Sequence, residues 1–338
     1  MMIVRPAQLD DLPAILRLAS LAGPGFTSLA LGERELAHRI ENSVASFAAN
    51  VQSPGSEMYF LLVEDTRSKQ VVGIAGISAR VGVRVPFFNY RRTTLAQCSS
   101  AVDRRFDMDA LYPVNEVAGA TEVGTLFVMS EVRGTGSGRL VAKSRYLLMA
   151  MARERFGDLV IAELRGVVDA QGHSPFWEAL GRPFFRMDFE DADRISALDN
   201  QFISDLLPTH PIYLDLLPEE ARAVVGVAHP EGQAARRLLE AEGFRHRGLV
   251  DVFDAGPVLS ARKERIKTFR HSRRATVRVG EPKAGRAIPA MIATERLPDF
   301  RVAASPVAVA DEEIWLGDDA ARALALGTGD SARVWMVP

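Results

Sequence analysis

The sequence predicts a mixed α+β fold with a small β-rich module at its C-terminus. Three observations carry this reading. The chain opens in the order strand, helix, helix, strand, strand. A strand, a glycine-rich turn and an amphipathic helix follow one another between residues 123 and 155. After residue 274 the composition shifts to short alternating strands of Val and Ala broken by Gly and isolated charges. At 338 residues the chain has room for roughly two domains of about 150 residues each.

Met2 to Val4 is a short apolar run. Asp10 is placed as the N-cap of a helix with Leu9, Leu12, Ile15, Leu16 and Ala19 at helical spacing, and Pro13 falls in the first turn, where a missing N–H is tolerated. Gly23-Pro24-Gly25 ends that helix, and residues 33–49 offer Leu36, Ile40, Val44 and Phe47 on one face of a second. Residues 58–64 and 70–77 are apolar and β-rich, and the polar turn Asp65-Thr66-Arg67-Ser68 makes them a hairpin. From 83 to 121 periodicity is poor, with Pro86 and Pro113 interrupting it, and the stretch reads as an inserted, partly extended segment.

Residues 123–128 form a strand, 133–138 a glycine-rich turn and 140–155 a helix. A strand at 159–164, a short helix at 174–180 closed by Gly181 and an aromatic strand at 184–189 follow. Further on, His229-Pro230 opens a helix carrying Ala234, Ala235, Leu238 and Leu239; Gly243 caps it and 249–253 is the next strand. The basic run 262–274 reads as a helix with Ile266 and Phe269 on its apolar stripe and a solvated opposite face; contact with a phosphate-bearing ligand or a partner subunit is its second reading. Residues 316–326 are a small helix within the C-terminal strands.

Composition narrows the function. Apolar residues make up 47% and charged residues 25%, an ordinary globular balance, and a formal charge of −2 supplies no global field for nucleic acid or anionic lipid. No apolar run reaches the roughly 18 residues of a spanning helix, so a cytoplasmic location away from membranes is expected. The lone Cys98 cannot form an internal disulfide or a cysteine-based metal cluster, and no His-Glu-x-x-His or aspartate-rich loop is present, so no metal is expected.

The strongest chemical signal is Arg133-x-x-Gly136-x-Gly138, directly after a strand and directly before an amphipathic helix. Glycines let the backbone approach a phosphate, and the free amides and positive end of the helix stabilise its charge. The dinucleotide-binding glycine pattern is not matched, and no Gly-Lys-Ser/Thr follows.

The element order with this loop resembles the GNAT family of acyl-CoA N-acyltransferases, whose Arg/Gln-x-x-Gly-x-Gly/Ala signature is met by Arg133, Gly136 and Gly138. That resemblance implies a mixed, largely antiparallel sheet flanked by helices. It also implies a strand, here 123–128, that aligns the pantetheine arm through Leu126, Phe127 and Val128, and a loop around Arg133, Gly134, Gly136 and Gly138 that binds the pyrophosphate. A more specific set of stretches is similar to the arginine N-succinyltransferase family: Ser174-Pro175-Phe176-Trp177-Glu178-Ala179-Leu180-Gly181-Arg182, Ala162-Glu163-Leu164-Arg165-Gly166, His210-Pro211-Ile212-Tyr213, His229-Pro230, Glu242-Gly243-Phe244 and Asp251-Val252-Phe253-Asp254-Ala255-Gly256-Pro257. The sequence departs from that family at Ala118 and Val117, and Ala255 stands where a glycine is usual.

The resemblance implies transfer of a succinyl group from succinyl-CoA to the α-amine of L-arginine, or of ornithine, in arginine catabolism. Succinyl-CoA is then a co-substrate, with no tightly bound cofactor. A GNAT-like subunit that is itself silent and supports an active partner, or the same fold with another acyl-CoA or amine, are the alternatives. The implied proton donor is His229, with Glu122 as an alternative general base acting through water. Arg91, Arg92 and Arg165 are candidate partners for the substrate carboxylate, and Glu163, Asp251 and Asp254 for its guanidinium. The expected division is an acyl-CoA-binding core over 1–195, an acceptor-site segment over 196–274 and a β-rich module over 275–338. A homodimer or a heteromer with a homologous chain is the expected assembly.

Overall fold

Short apolar runs separated by polar turns give the first strands, and a computed structural model of the protein describes residues 1–23, 29, 31–169, 171–196, 199–281 and 287–337. In chain order these begin with β1 (Met2–Pro6), α1 (Leu12–Ala22), α2 (Glu33–Ala48), β2 (Met58–Asp65), β3 (Val71–Ser78), β4 (Asn89–Ser99), β5 (Arg104–Val114), β6 (Thr121–Val128), α3 (Ser137–Met151) and β7 (Leu159–Glu163). The middle of the chain gives α4 (Arg182–Phe185), α5 (Phe189–Ser196), α6 (Gln201–Leu206), β8 (Ile212–Tyr213), α7 (Glu219–Ala223), α8 (Gln233–Glu242), β9 (Arg245–Val250) and β10 (Pro257–Arg262). It closes with α9 (Lys267–His271), β11 (Arg273–Val279), β12 (Ile288–Thr294), β13 (Val302–Ala310), β14 (Glu313–Leu316), α10 (Asp318–Leu324) and β15 (Ser331–Met336).

The chain gathers into two units built from separated stretches: residues 1–80, 123–158 and 262–338, and residues 81–122 and 159–261. The sequence suggested three consecutive stretches instead. Periodicity within a stretch does not reveal which strands pair across a hundred residues, and that pairing sets the grouping seen here.

In the first unit the strand order is β12-β15-β11-β14-β13-β1-β2-β3-β6, and β12 also pairs β13, so the five C-terminal strands close on themselves. β1 joins this closed module to the hairpin β2–β3, pairing Ile3 with Ala303 on one side and Glu64 on the other. Helices α1 and α2 cover β2 and β3 with Ile15, Leu18, Leu36 and Ile40 against Phe60, Leu62 and Ile74. Asp11, rather than Asp10, closes the entry to α1: its Oδ2 accepts the Gln8 N–H at 2.8 Å and ion-pairs Arg5 at 2.7 Å. Gly23 takes a left-handed φ of 73° at the end of α1, while Pro24 and Gly25 lie outside the described residues.

In the second unit β7 lies beside β10, β9, β4, β5 and β8 in that order. The stretch that lacked periodicity is a long hairpin in which β4 and β5 pair from Asn89 opposite Val114 to Ser99 opposite Arg104. Its outer half is solvated on both faces, as at Gln97, Cys98, Arg105 and Phe106, so no apolar alternation marks it in the sequence. Gly181 does not close its helix. The helix runs on through a wide turn at Trp177–Gly181 into α4, and the aromatic run 184–189 is not a strand: it spans the end of α4, a break with Arg186 at φ 53° and the start of α5 at Phe189. Phe185 at the end of α4 and Phe189 at the start of α5 both pack on Trp177, at ring distances of 5.1 and 6.1 Å. An aromatic run of that length carries both periodicities, and burial of both rings against Trp177 is met here by two helix ends rather than by a strand.

Candidate functional site

The glycine-rich turn belongs to the first unit. β6 is neighboured by β3, and its register with β7 covers Thr121 and Glu122 only. Within β6, Thr125 sits at φ 51°, a conformation rare for a β-branched residue, which kinks the strand midway. The kink is seated on glycine: a Cβ at Gly76 of β3 would come within 2.9 Å of Thr125 Oγ1. Phe127 is buried in the core under α1 and α2, whereas Leu126 and Val128 are half-buried.

After β6 the chain turns through Ser130–Val132, and Arg133 folds back so that its Nε donates to the Val128 carbonyl at 3.3 Å. Its guanidinium lies 6.0 Å from the Phe127 ring centroid. Gly134 and Gly136 take φ of 81° and 95°. A side chain there would meet nothing within 4 Å, so neither glycine is required by internal packing. Gly136 caps α3, whose first N–H groups have no acceptor within the helix, and no acid occupies its first turn. The result is a run of main-chain donors at the positive end of a helix, with open space where side chains would stand. Such a surface fits a diphosphate.

In the second unit the end of β7 gathers the remaining candidates. Glu163 Oε1 accepts a hydrogen bond from Asn89 Nδ2 at 2.8 Å, and the buried Asn89 Oδ1 has no partner. Two residues on, the Arg165 carbonyl accepts the His229 N–H at 2.8 Å, which ties the His-Pro helix start to the strand end. His229 Nδ1 accepts the Glu231 N–H at 3.3 Å. In the neutral ring this places the proton on Nε2, leaving that nitrogen as a donor.

Around them lies a set of carboxyl groups. Burial, then the charges of Asp251 and Glu122, push Glu163 well above the usual range. Burial likewise raises Asp251 and Asp254, the latter also facing Asp251. Burial and the charge of Asp251 raise Asp193 to about 7, against the lowering effect of Arg165. Asp254 holds the turn: Oδ2 accepts Gly166 N–H at 2.7 Å and Oδ1 accepts Gly256 N–H at 2.8 Å. The turn is tight enough that a Cβ on Gly256 would fall 2.1 Å from the Leu164 carbonyl oxygen. Next to it Ala255 adopts φ 54°, which accounts for the preference for glycine there.

The structure therefore brings Glu122, Glu163, Arg165, His229 and Asp254 into one unit. Arg91 is committed elsewhere in that unit, to Glu116 and the Arg247 carbonyl, and Arg92 pairs with Asp109. Sequence reasoning passed over Asn89 and Asp193 as functional residues. Neither carries a local signal, and each matters only because β4 and α5 meet the end of β7. Among the described residues, no group of three or more His, Cys, Asp or Glu is arranged to hold a metal ion, and no helix is long and apolar enough to cross a membrane.

A family model described as the arginine N-succinyltransferase beta subunit matches residues 2–268, and one for its C-terminal domain matches residues 273–336. Proteins named arginine N-succinyltransferase from Escherichia coli (strain 55989 / EAEC) and Shigella flexneri are each 38% identical over 336 residues, covering 99% of this chain and 97% of theirs. The solved structure of arginine/ornithine succinyltransferase subunit AI from Pseudomonas aeruginosa matches with a TM-score of 0.90 at 35% identity, over 100% of this chain and 99% of that one.

Proposed function

This chain belongs to the arginine N-succinyltransferase beta subunit family, and we propose that it moves a succinyl group from succinyl-CoA to the α-amine of L-arginine in the cytoplasm. The observation that carries the acyl-CoA half is the pair of left-handed glycines, Gly134 and Gly136, opening onto free space at the start of α3. Leu126, Phe127 and Val128 supply the strand along which the pantetheine arm runs, and Arg133, Gly134, Gly136 and Gly138 the diphosphate cradle.

For the acceptor, the carboxyl cluster of the second unit supports recognition of a cation. Glu163 and the unpartnered Asn89 Oδ1 offer acceptors to guanidinium N–H groups, and a cation there would draw the raised carboxyls into their ionised forms. Arg165 is the cation for the substrate carboxylate. The fixed orientation of Arg91 toward Glu116 speaks for a scaffold role.

The chemistry is direct attack of the neutral α-amine on the thioester carbonyl. A C–N bond forms, the tetrahedral adduct collapses with cleavage of the C–S bond, the nitrogen gives up a proton and the departing thiolate takes one. His229 steadies the departing thiolate with a hydrogen bond from Nε2–H, the thiolate takes its proton from water, and Glu122 takes the amine proton through water.

Thiol release measured across succinyl-CoA and acetyl-CoA, each with arginine, ornithine and lysine, tests the assignment. Succinyl-CoA with arginine is expected to give the highest kcat/KM; faster release with acetyl-CoA or lysine overturns it. The names subunit AI and beta subunit among the relatives favour one second reading, that activity needs a homologous partner chain. Release that begins only when such a chain is added identifies that case.

A further inference from the structure

The first unit holds a second cationic site that the acyl transfer does not use. At the far end of α3, a cavity of about 350 Å³ is lined by Arg153, Arg270 and Arg333 together with Glu264, Phe269 and Ser272. At 1.5 Å per residue, Ala150 on its wall lies about 20 Å along the helix from Ser137, where the glycine cradle begins. The basic run of the sequence supplies part of it: burial of Ile266 and Phe269 turns Arg270 outward.

Charge around the cavity does not balance. Arg333 is 15% exposed and pairs with Glu295 at 3.2 Å, but the same carboxylate also pairs with Arg274 at 2.5 Å. Arg333 Nε is buried without a hydrogen-bond partner, and the paired Glu295 Oε1 also makes no hydrogen bond. Arg153 lies over the Phe269 ring at 4.7 Å and reaches Glu264 only at 3.8 Å, through an exposed pair that offsets little of its charge. Among the described residues no acid pairs with Arg270. Four guanidinium groups thus face two carboxylates, and a buried N–H donor is left over. Burial lowers the Arg333 pKa against the raising effect of Glu295, and the nearby charges of Arg274 and Arg153 lower it further. An anion is the missing counter-charge, and forked guanidinium donors match the geometry of carboxylate and phosphate oxygens.

We propose that this pocket binds a small oxyanion-bearing metabolite, a phosphate or a dicarboxylate, independently of the CoA cradle. Arg333 anchors the anion from the wall, Arg153 and Arg270 close on it from the rim, and the volume admits more than a lone inorganic ion.

The test is thermal unfolding of the full chain against rising inorganic phosphate or glutarate, with chloride at equal ionic strength as the control. One of the two oxyanions is expected to raise Tm beyond chloride. The Arg153→Gln/Arg270→Gln double variant, altered only at exposed side chains, is expected to weaken that ligand's apparent affinity by roughly tenfold or more. The single Arg270→Gln variant should fall between the two. Stronger stabilisation by phosphate identifies a phosphoryl ligand, and by glutarate a dicarboxylate. A rise no greater than that in chloride, or an equal rise in wild type and both variants, overturns the proposal.

Discussion

In the proposed reaction His229 and Asn89 would each act through a single atom. The His229 ring accepts from Glu231 N–H through Nδ1, so the donor that remains is Nε2. His229→Ala is expected to lower kcat by about 10²-fold or more with CoA affinity unchanged in equilibrium titration; unaltered turnover would reduce His229 to a helix cap. Asn89 offers an unpartnered buried oxygen beside Glu163. Replacing it with Ala should raise KM for arginine roughly tenfold, in line with the loss of a hydrogen bond to a charged group, while KM for succinyl-CoA stays put. The glycine-rich turn and the start of α3 were legible in the sequence because both are local features: left-handed glycines, a cap and the helix that follows. His229 owed its assignment to family resemblance, and Asn89 and Asp193 were invisible because their neighbours lie far away in the chain.

Elements were legible where a buried face or a continuous buried run marks them and obscure where neither face is buried. α2 and the β2–β3 hairpin were read within a residue or two, since Leu36, Ile40 and Phe47 or a continuous buried run mark them. The β4–β5 hairpin escaped because its outer half is solvated on both faces, and the 184–189 segment was misread because helix and strand periods cannot be separated over six aromatic-rich residues. The turn between β9 and β10 makes a stronger demand on sequence than either. Gly256→Ala would drive a Cβ into the Leu164 carbonyl and the Gly166 amide, both main-chain atoms that cannot step aside. A loss of about 1–3 kcal/mol in urea unfolding is expected, with a higher KM for arginine, because Leu164 and Gly166 flank Arg165. Wild-type stability in that variant would mean the turn is looser than described.

For the whole molecule, the raised carboxyl groups fix how stability responds to pH. Asp193, Glu163, Asp251 and Asp254 titrate higher in the folded chain than the value near 4 of an unfolded carboxyl. Between about pH 4 and 7 the folded state therefore holds more protons than the unfolded one, and stability falls as pH rises through that window. The urea midpoint should be higher at pH 5 than at pH 8, and Asp193→Asn should flatten the slope; a midpoint that rises over this range would contradict the burial of these groups. Arginine binding should reverse part of this effect by favouring the ionised forms. The claim on which the functional account rests is that main-chain donors at the start of α3 hold the diphosphate of CoA. Calorimetric titration of the intact chain with CoA, wild type beside Gly136→Val, tests it without depending on turnover. A branched side chain at φ 95° fills the open space of the cradle, so CoA should bind at least about tenfold more weakly while circular dichroism stays native; equal affinity in the two folded proteins would contradict the account.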